Sequence, residues 1–214
     1  MDESGVNIDS LERSGADVVH ISPSHHFPTG TVTPASRRYE LLGWAAKQEG
    51  RYIIEDEYDS EFRLVGNPIP ALQSIDASDK VIYMNTFSKS LSSTIRISYM
   101  VLPIPLMVRY NHVLSFYACT VSNFDQYTLT RFIQEGYLEK HINRMRKFYR
   151  NSRDRILGCI RSHRLYPQVT IKEENAGLHF LMEIDTSYTD REMVDRAAAA
   201  GINISSLSQY CLSL

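Results

Sequence analysis

Three short segments carry residue types that could do chemistry. The first is Thr86-Phe87-Ser88-Lys89-Ser90-Leu91, with Arg96 seven residues after the lysine. The second is Asp56-Glu57-Tyr58 and the third Pro28-Thr29-Gly30. A lysine amine attacks an aldehyde carbon only while it is neutral, and partial burial beside other positive charge makes the neutral form accessible. Taken singly, each segment has a plainer reading. A lysine after a strand is most often a surface lysine, an acidic cluster is most often solvated, and Pro-Thr-Gly is most often a turn. Their weight comes from their order, because each follows a strand.

The first strand is the β-branched run Asp17-Val18-Val19-His20-Ile21-Ser22, stopped by Pro23-Ser24. Thr33-Pro34 opens a helix with the stripe Leu41, Leu42, Ala45 and Ala46, and Gly50 closes it. Tyr52-Ile53-Ile54-Glu55 is the second strand, so strand, helix and strand form a right-handed parallel crossover. Val81-Ile82-Tyr83-Met84 and Ile97 to Leu102 are a third and fourth strand, too close in sequence for the whole sheet to be parallel. The three chemical segments then lie at the carboxyl ends of the first three strands, where open α/β sheets place ligands.

From Pro105 to about His163 the pattern is helical. Its last part carries Lys140, Arg144, Arg146, Lys147, Arg150, Arg153 and Arg155, while Ile142, Met145, Phe148, Ile156 and Leu157 give it an apolar face. The basic residues are read as a solvated outer face, not as a nucleic-acid contact. Val169 to Lys172 and Gly177 to Ile184 read as strands, Thr189-x-x-Glu192 as a capping box opening a helix to Ala200, and Gly201 to Ile204 as a further strand. The expected fold is therefore α/β with a mostly parallel sheet over residues 1–136. A long connecting helix and a smaller α+β unit follow over 137–214.

Composition excludes several classes. With 43% hydrophobic and 22% charged residues and a net charge of −2, nothing global points to nucleic acid or a membrane surface. Cys119, Cys159 and Cys211 form neither a disulfide framework nor a zinc spacing, and the amino terminus has no basic segment leading into an apolar one, so a cytoplasmic location is expected. His20, His25, His26 and His179 lack metal-ligand spacing and are read as structural, while Trp44 is read as core.

The lysine segment with Arg96 resembles the cofactor-lysine signature of class I/II aminotransferases, which use pyridoxal 5'-phosphate on the fold type I scaffold. His25-His26-Phe27-Pro28-Thr29-Gly30, the stretch Glu55 to Arg63 and Ser98 to Pro103 extend the likeness, which is closest to the MocR group of bacterial GntR-family regulators. In that group an aminotransferase-like domain follows a winged-helix DNA-binding domain. The resemblance implies that Lys89 bonds the cofactor's aldehyde. It also implies that Asp56 holds the ring nitrogen protonated, that Tyr58 bonds the phenolic oxygen, and that Arg96, Thr86 and, more weakly, Ser88 grip the phosphate. It further implies an amino acid or amine as effector or substrate, and a homodimer. A free-standing aminotransferase would share these residues, and a dimerisation module that binds no cofactor could retain them.

Phe27 replaces the asparagine of many aminotransferases, as is usual in the MocR group, and Asn85 and Ser93-Thr94 depart from common glycine and proline positions. Relatives also carry a phosphate-binding helix start and a ring-stacking aromatic upstream of Gly5, and a carboxylate-clamping arginine late in the small domain. The resemblance thus marks the chain as a fragment, expected to bind the cofactor weakly or not at all and to show no transaminase activity.

Overall fold

The computed structural model describes residues 1–67 and 69–210. A seven-residue helix, α1 (Ile8–Ser14), opens it, held by the Asn7 side chain accepting from the Ser10 N–H and closed by Gly15 at φ 67°. It buries only Leu11, too short an apolar signal to stand out in the sequence. Then come β1 (Val18–Ile21), α2 (Ala35–Ala46) and β2 (Tyr52–Asp56), with β1 parallel to β2 in the register Ile21↔Glu55, so the crossover is as expected.

A short turn of helix, α3 (Leu72–Ile75), leads to β3 (Val81–Thr86), which pairs parallel with β2. One further helical turn, α4 (Phe87–Ser90), returns the chain into β4 (Ser98–Val101), antiparallel to β3. The sheet order is β1-β2-β3-β4, mostly parallel. Leu11, Ile21, Leu41, Trp44, Ala45, Ile53, Leu72 and Val81 form one buried cluster, tying α1, α2 and α3 to the sheet. Each large side chain in it contributes roughly 1.5–3 kcal/mol by leaving water. The strands' carboxyl ends are therefore held by a packed layer.

Three helices follow, α5 (Ile104–Leu114), α6 (Asn123–Gln134) and α7 (Tyr137–Ser162), then the antiparallel pair β5 (Val169–Lys172) and β6 (Leu181–Ile184) and the helix α8 (Asp190–Ala199). The Thr189/Glu192 capping box is present. Among the described residues no helix is long and apolar enough to cross a membrane.

Several expectations fail, among them the strand expected from Gly177, which forms only over Leu181–Ile184. Gly201 to Ile204 is not a strand; Ile202 is 59% exposed with no strand beside it among the described residues to complete a ladder, and β-branched residues form strands only where pairing exists. The basic residues of α7 are not simply solvated. Arg146 and Arg150 donate to the carbonyls of Glu61 and Leu64, and Arg153 to that of Glu174 at 2.9 Å. Irregular loops leave carbonyls without ladder partners, and arginines on an adjoining helix supply them. Leu157 is buried as expected, but Phe148 and Ile156 are exposed, and Tyr149 packs edge-on to buried Phe62 at 5.3 Å. Cys119 and Cys159 are free and exposed, while Cys211 lies outside the described residues, as does the end of the 137–214 unit.

Candidate functional site

Asp56 is the last residue of β2 and Thr86 the last of β3, with Asp56 opposite Met84 in the parallel register. The carboxylate and the start of the lysine segment thus share one edge of the sheet. Asp56 is partly exposed, and its Oδ2 lies 3.2 Å from Nε2 of His20, two residues back from it on the neighbouring strand's register.

Thr86 caps α4, its hydroxyl accepting from the Ser88 N–H at 3.2 Å and donating to the Ile97 carbonyl at 3.3 Å. Ser88 donates to the Ile95 carbonyl at 2.9 Å, and Arg96 Nη1 donates to the Ser88 hydroxyl at 3.4 Å. Thr86, Ser88 and Arg96 therefore form one cluster. Both hydroxyls have spent their single proton on backbone carbonyls. Most of the exposed Arg96 guanidinium remains free, which makes it the principal anion donor of the three.

Lys89 lies on α4, exposed, and its amine makes no hydrogen bond or ion pair among the described residues. The partial burial expected of a carbonyl-bonding amine is thus not supplied by these residues. Its charge reaches His179. Burial first, then the nearby His25 and Lys89, hold the His179 imidazole below its usual pKa, opposed by its bond to the Pro28 carbonyl. Tyr58 is turned toward the loop after β1, donating to the His25 carbonyl at 2.9 Å. Burial and the charges of Asp59, Asp56 and Glu57 push its hydroxyl well above the usual pKa of tyrosine.

Behind this edge lies a buried ionic network absent from the sequence reading. Arg38 and Glu55 are both fully buried and 3.7 Å apart. Arg38 also donates to the carbonyls of Thr33 and Pro70, and Glu55 accepts from the Leu72 and Gln73 N–H groups. Ser24 joins Arg38 to Glu57, donating to Glu57 Oε1 at 2.8 Å. The network pins the loops after β1 and β2 to α2 and α3. A cavity of about 170 Å³ borders it, lined in part by Glu57, Asp59, Arg63, Tyr83 and Gly177. The signal for it was weak, since an arginine inside an amphipathic helix and alternate glutamates on a strand look like surface residues.

Burial and the Glu55 charge push the Glu57 carboxyl up to about 7. A carboxyl raised in the fold binds protons that the unfolded chain releases, so its contribution is full below about pH 4.5 and is lost as pH rises to about 7. Glu57→Gln keeps an acceptor for Ser24 without the charge. In urea unfolding at pH 5 and pH 8, the variant is expected to gain on the wild type by more than about 1 kcal/mol between the two pH values. A constant difference between the two proteins would contradict this reading of Glu57.

The aminotransferase class I and II pattern matches residues 5–212. The chain belongs to that family. It is 42% identical over 204 residues to the HTH-type transcriptional regulator YdeL of Bacillus subtilis, covering 95% of this chain and 44% of that protein. It is 32% identical over 209 residues to the probable rhizopine catabolism regulatory protein MocR of Rhizobium meliloti, covering 98% and 42%. The chain thus spans less than half the length of these curated relatives. Among solved structures, the kynurenine aminotransferase of Pyrococcus horikoshii superposes with a TM-score of 0.81 at 28% identity, over 95% of this chain and 52% of that one. The type I aminotransferase fold expected from the sequence is the fold found.

Proposed function

We propose that the chain is the pyridoxal-phosphate-binding, effector-sensing region of a MocR-type transcriptional regulator, with Lys89 as the residue that bonds the cofactor. The observation that carries this reading is that the Lys89 amine, unpaired among the described residues, lies three residues past β3, while the Asp56 carboxylate ends the adjacent parallel strand β2. The donor set fits the cofactor: an amine for its aldehyde, a carboxylate for its ring nitrogen, and for its phosphate the largely free Arg96 guanidinium, joined by the Thr86 and Ser88 hydroxyls once their protons turn from the Ile97 and Ile95 carbonyls. Higher identity to the regulators, 42% against 28% for the kynurenine aminotransferase, supports the regulator over a free-standing aminotransferase.

When bound, the cofactor supplies a sink for negative charge on the α carbon of an amino acid. Asp56 would hold a proton at the ring nitrogen, and Arg96 would bind and orient the phosphate, joined by Thr86 and Ser88 once their hydroxyl protons turn from the backbone carbonyls. To bond the phenolic oxygen, the Tyr58 proton must turn from the His25 carbonyl, which now accepts it. In the whole protein the ligand is an amino acid or amine, the assembly a homodimer, the location cytoplasmic, and DNA contact falls to a winged-helix segment.

Titration of the whole regulator with pyridoxal phosphate, followed by visible absorbance, tests this. A saturable band that changes when amino acids or amines are added is the expected result. No band at saturating cofactor would favour a module that has kept the residues without the binding.

A further inference from the structure

Next to Tyr58 lies a buried cluster to which the proposed cofactor contacts assign no role. His25 and Asp59 are 2% and 3% exposed, with His25 Nδ1 2.8 Å from Asp59 Oδ2. The Tyr58 hydroxyl lies 3.2 Å from the same nitrogen and donates to the His25 carbonyl. From the other end of the chain, the Leu178 N–H donates to Asp59 Oδ2 at 3.4 Å. Gly177, at φ +67°, runs so close that a Cβ there would lie 1.9 Å from His25 Nδ1. The His179 ring sits 4.1 Å from that of His25. Three segments thus meet at one imidazole: the loop after β1, the loop after β2 and the turn before β6.

The hydrogen-bond directions follow from the donors available. A carboxylate only accepts, so Nδ1 presents its proton to Asp59. Tyr58 has one proton and gives it to the His25 carbonyl. His25 Nε2 is buried without a partner among the described residues. Filling space alone would favour an apolar side chain, which leaves no nitrogen unpaired.

We propose that His25 is a positioning residue: the bond of its imidazole to Asp59 holds in place the His25 carbonyl that directs the Tyr58 phenol, and through Asp59 it ties that phenol to the Gly177–Leu178 turn. Movement of that turn is then passed to Tyr58. The part concerning the cofactor rests on the function proposed above, whereas the tie involves this chain's residues alone.

Two measurements separate those parts. Without cofactor, amide hydrogen exchange of Leu178 is compared with that of Ile53 and Ile54 in β2, which report on the rest of the fold. His25→Ala is expected to speed Leu178 on the order of tenfold beyond those references. His25→Asn, whose amide can donate to Asp59 in place of Nδ1, should restore most of the protection. Should His25→Ala fail to fold, Asp59→Leu against His25→Asn makes the same comparison. Equal acceleration at all three amides, or none, overturns the tie.

With cofactor bound, His25→Ala and Tyr58→Phe should each move the pH midpoint of the visible band on the order of one unit, and the double variant no further. Shifts that add would show that His25 does not act through Tyr58. If Tyr58→Phe moves nothing, or no band forms, the cofactor assignment fails, and the exchange experiment still decides the tie.

Discussion

Replacing Lys89 by alanine or arginine is expected to abolish the borohydride-trappable bond to pyridoxal phosphate. Arginine keeps the positive charge beside Ser88 and Arg96, but a guanidinium is not neutral at any working pH and does not condense with an aldehyde. The other lysines whose contacts are visible are held elsewhere. Lys47 and Lys172 are in ion pairs with Glu12 and Glu183, both at 2.6 Å, while Lys80 and Lys140 lie over tyrosine rings. Lys147→Ala, on α7, should leave trapping unchanged. Loss of the visible band in both Lys89 variants and retention in Lys147→Ala is the expected pattern. Trapping that survives in Lys89→Ala would place the bond on another amine.

Asp56→Ala is expected to separate binding from chemistry. Lys89, Arg96, Thr86 and Ser88 are untouched by it, so the trappable bond persists. Without the carboxylate the ring nitrogen loses its proton, and charge on the α carbon is no longer drawn into the ring. Exchange of an amino acid's α hydrogen with deuterium oxide should fall by roughly a hundredfold or more, about 3 kcal/mol of transition-state stabilisation. Asp56 is partly exposed and its side-chain partner among the described residues is His20, so folding should change little. Undiminished exchange in Asp56→Ala, set beside wild-type exchange, would mean that another group serves the ring nitrogen.

Much of the sheet was legible because it obeys local rules. The β-branched runs at Val18 and Ile53, the Pro34 helix start between them and the closeness of Val81 to Ile97 give three parallel neighbours and one antiparallel strand without reference to long-range contacts. The capping box at Thr189 is likewise a four-residue signal. The failures are non-local. Whether Ile202 joins a strand depends on a partner that no local pattern supplies, and whether Arg146 meets water or a carbonyl depends on a loop 85 residues away. The six proposed site residues are legible through the likeness of their segments to the class I/II aminotransferase signature, and those segments fall at or just past strand ends. What surrounds them is not: His25 and Asp59 are 34 residues apart in different loops, and Leu178 is 119 from Asp59. Nothing in their spacing announces that they meet. Hydroxyl orientation was also out of reach, since only the fold shows that Thr86, Ser88 and Tyr58 have their protons on backbone carbonyls.

The central claim is that Lys89 bonds the cofactor, and the most direct measurement is peptide mapping after reduction. The whole, cofactor-bound protein is treated with borohydride and digested, and the labelled peptide is sequenced by mass spectrometry. A single dominant label on Lys89, in the peptide containing Phe87-Ser88-Lys89-Ser90, is the predicted result. A label concentrated on Lys80 or any other lysine, or spread evenly over all of them, would contradict it.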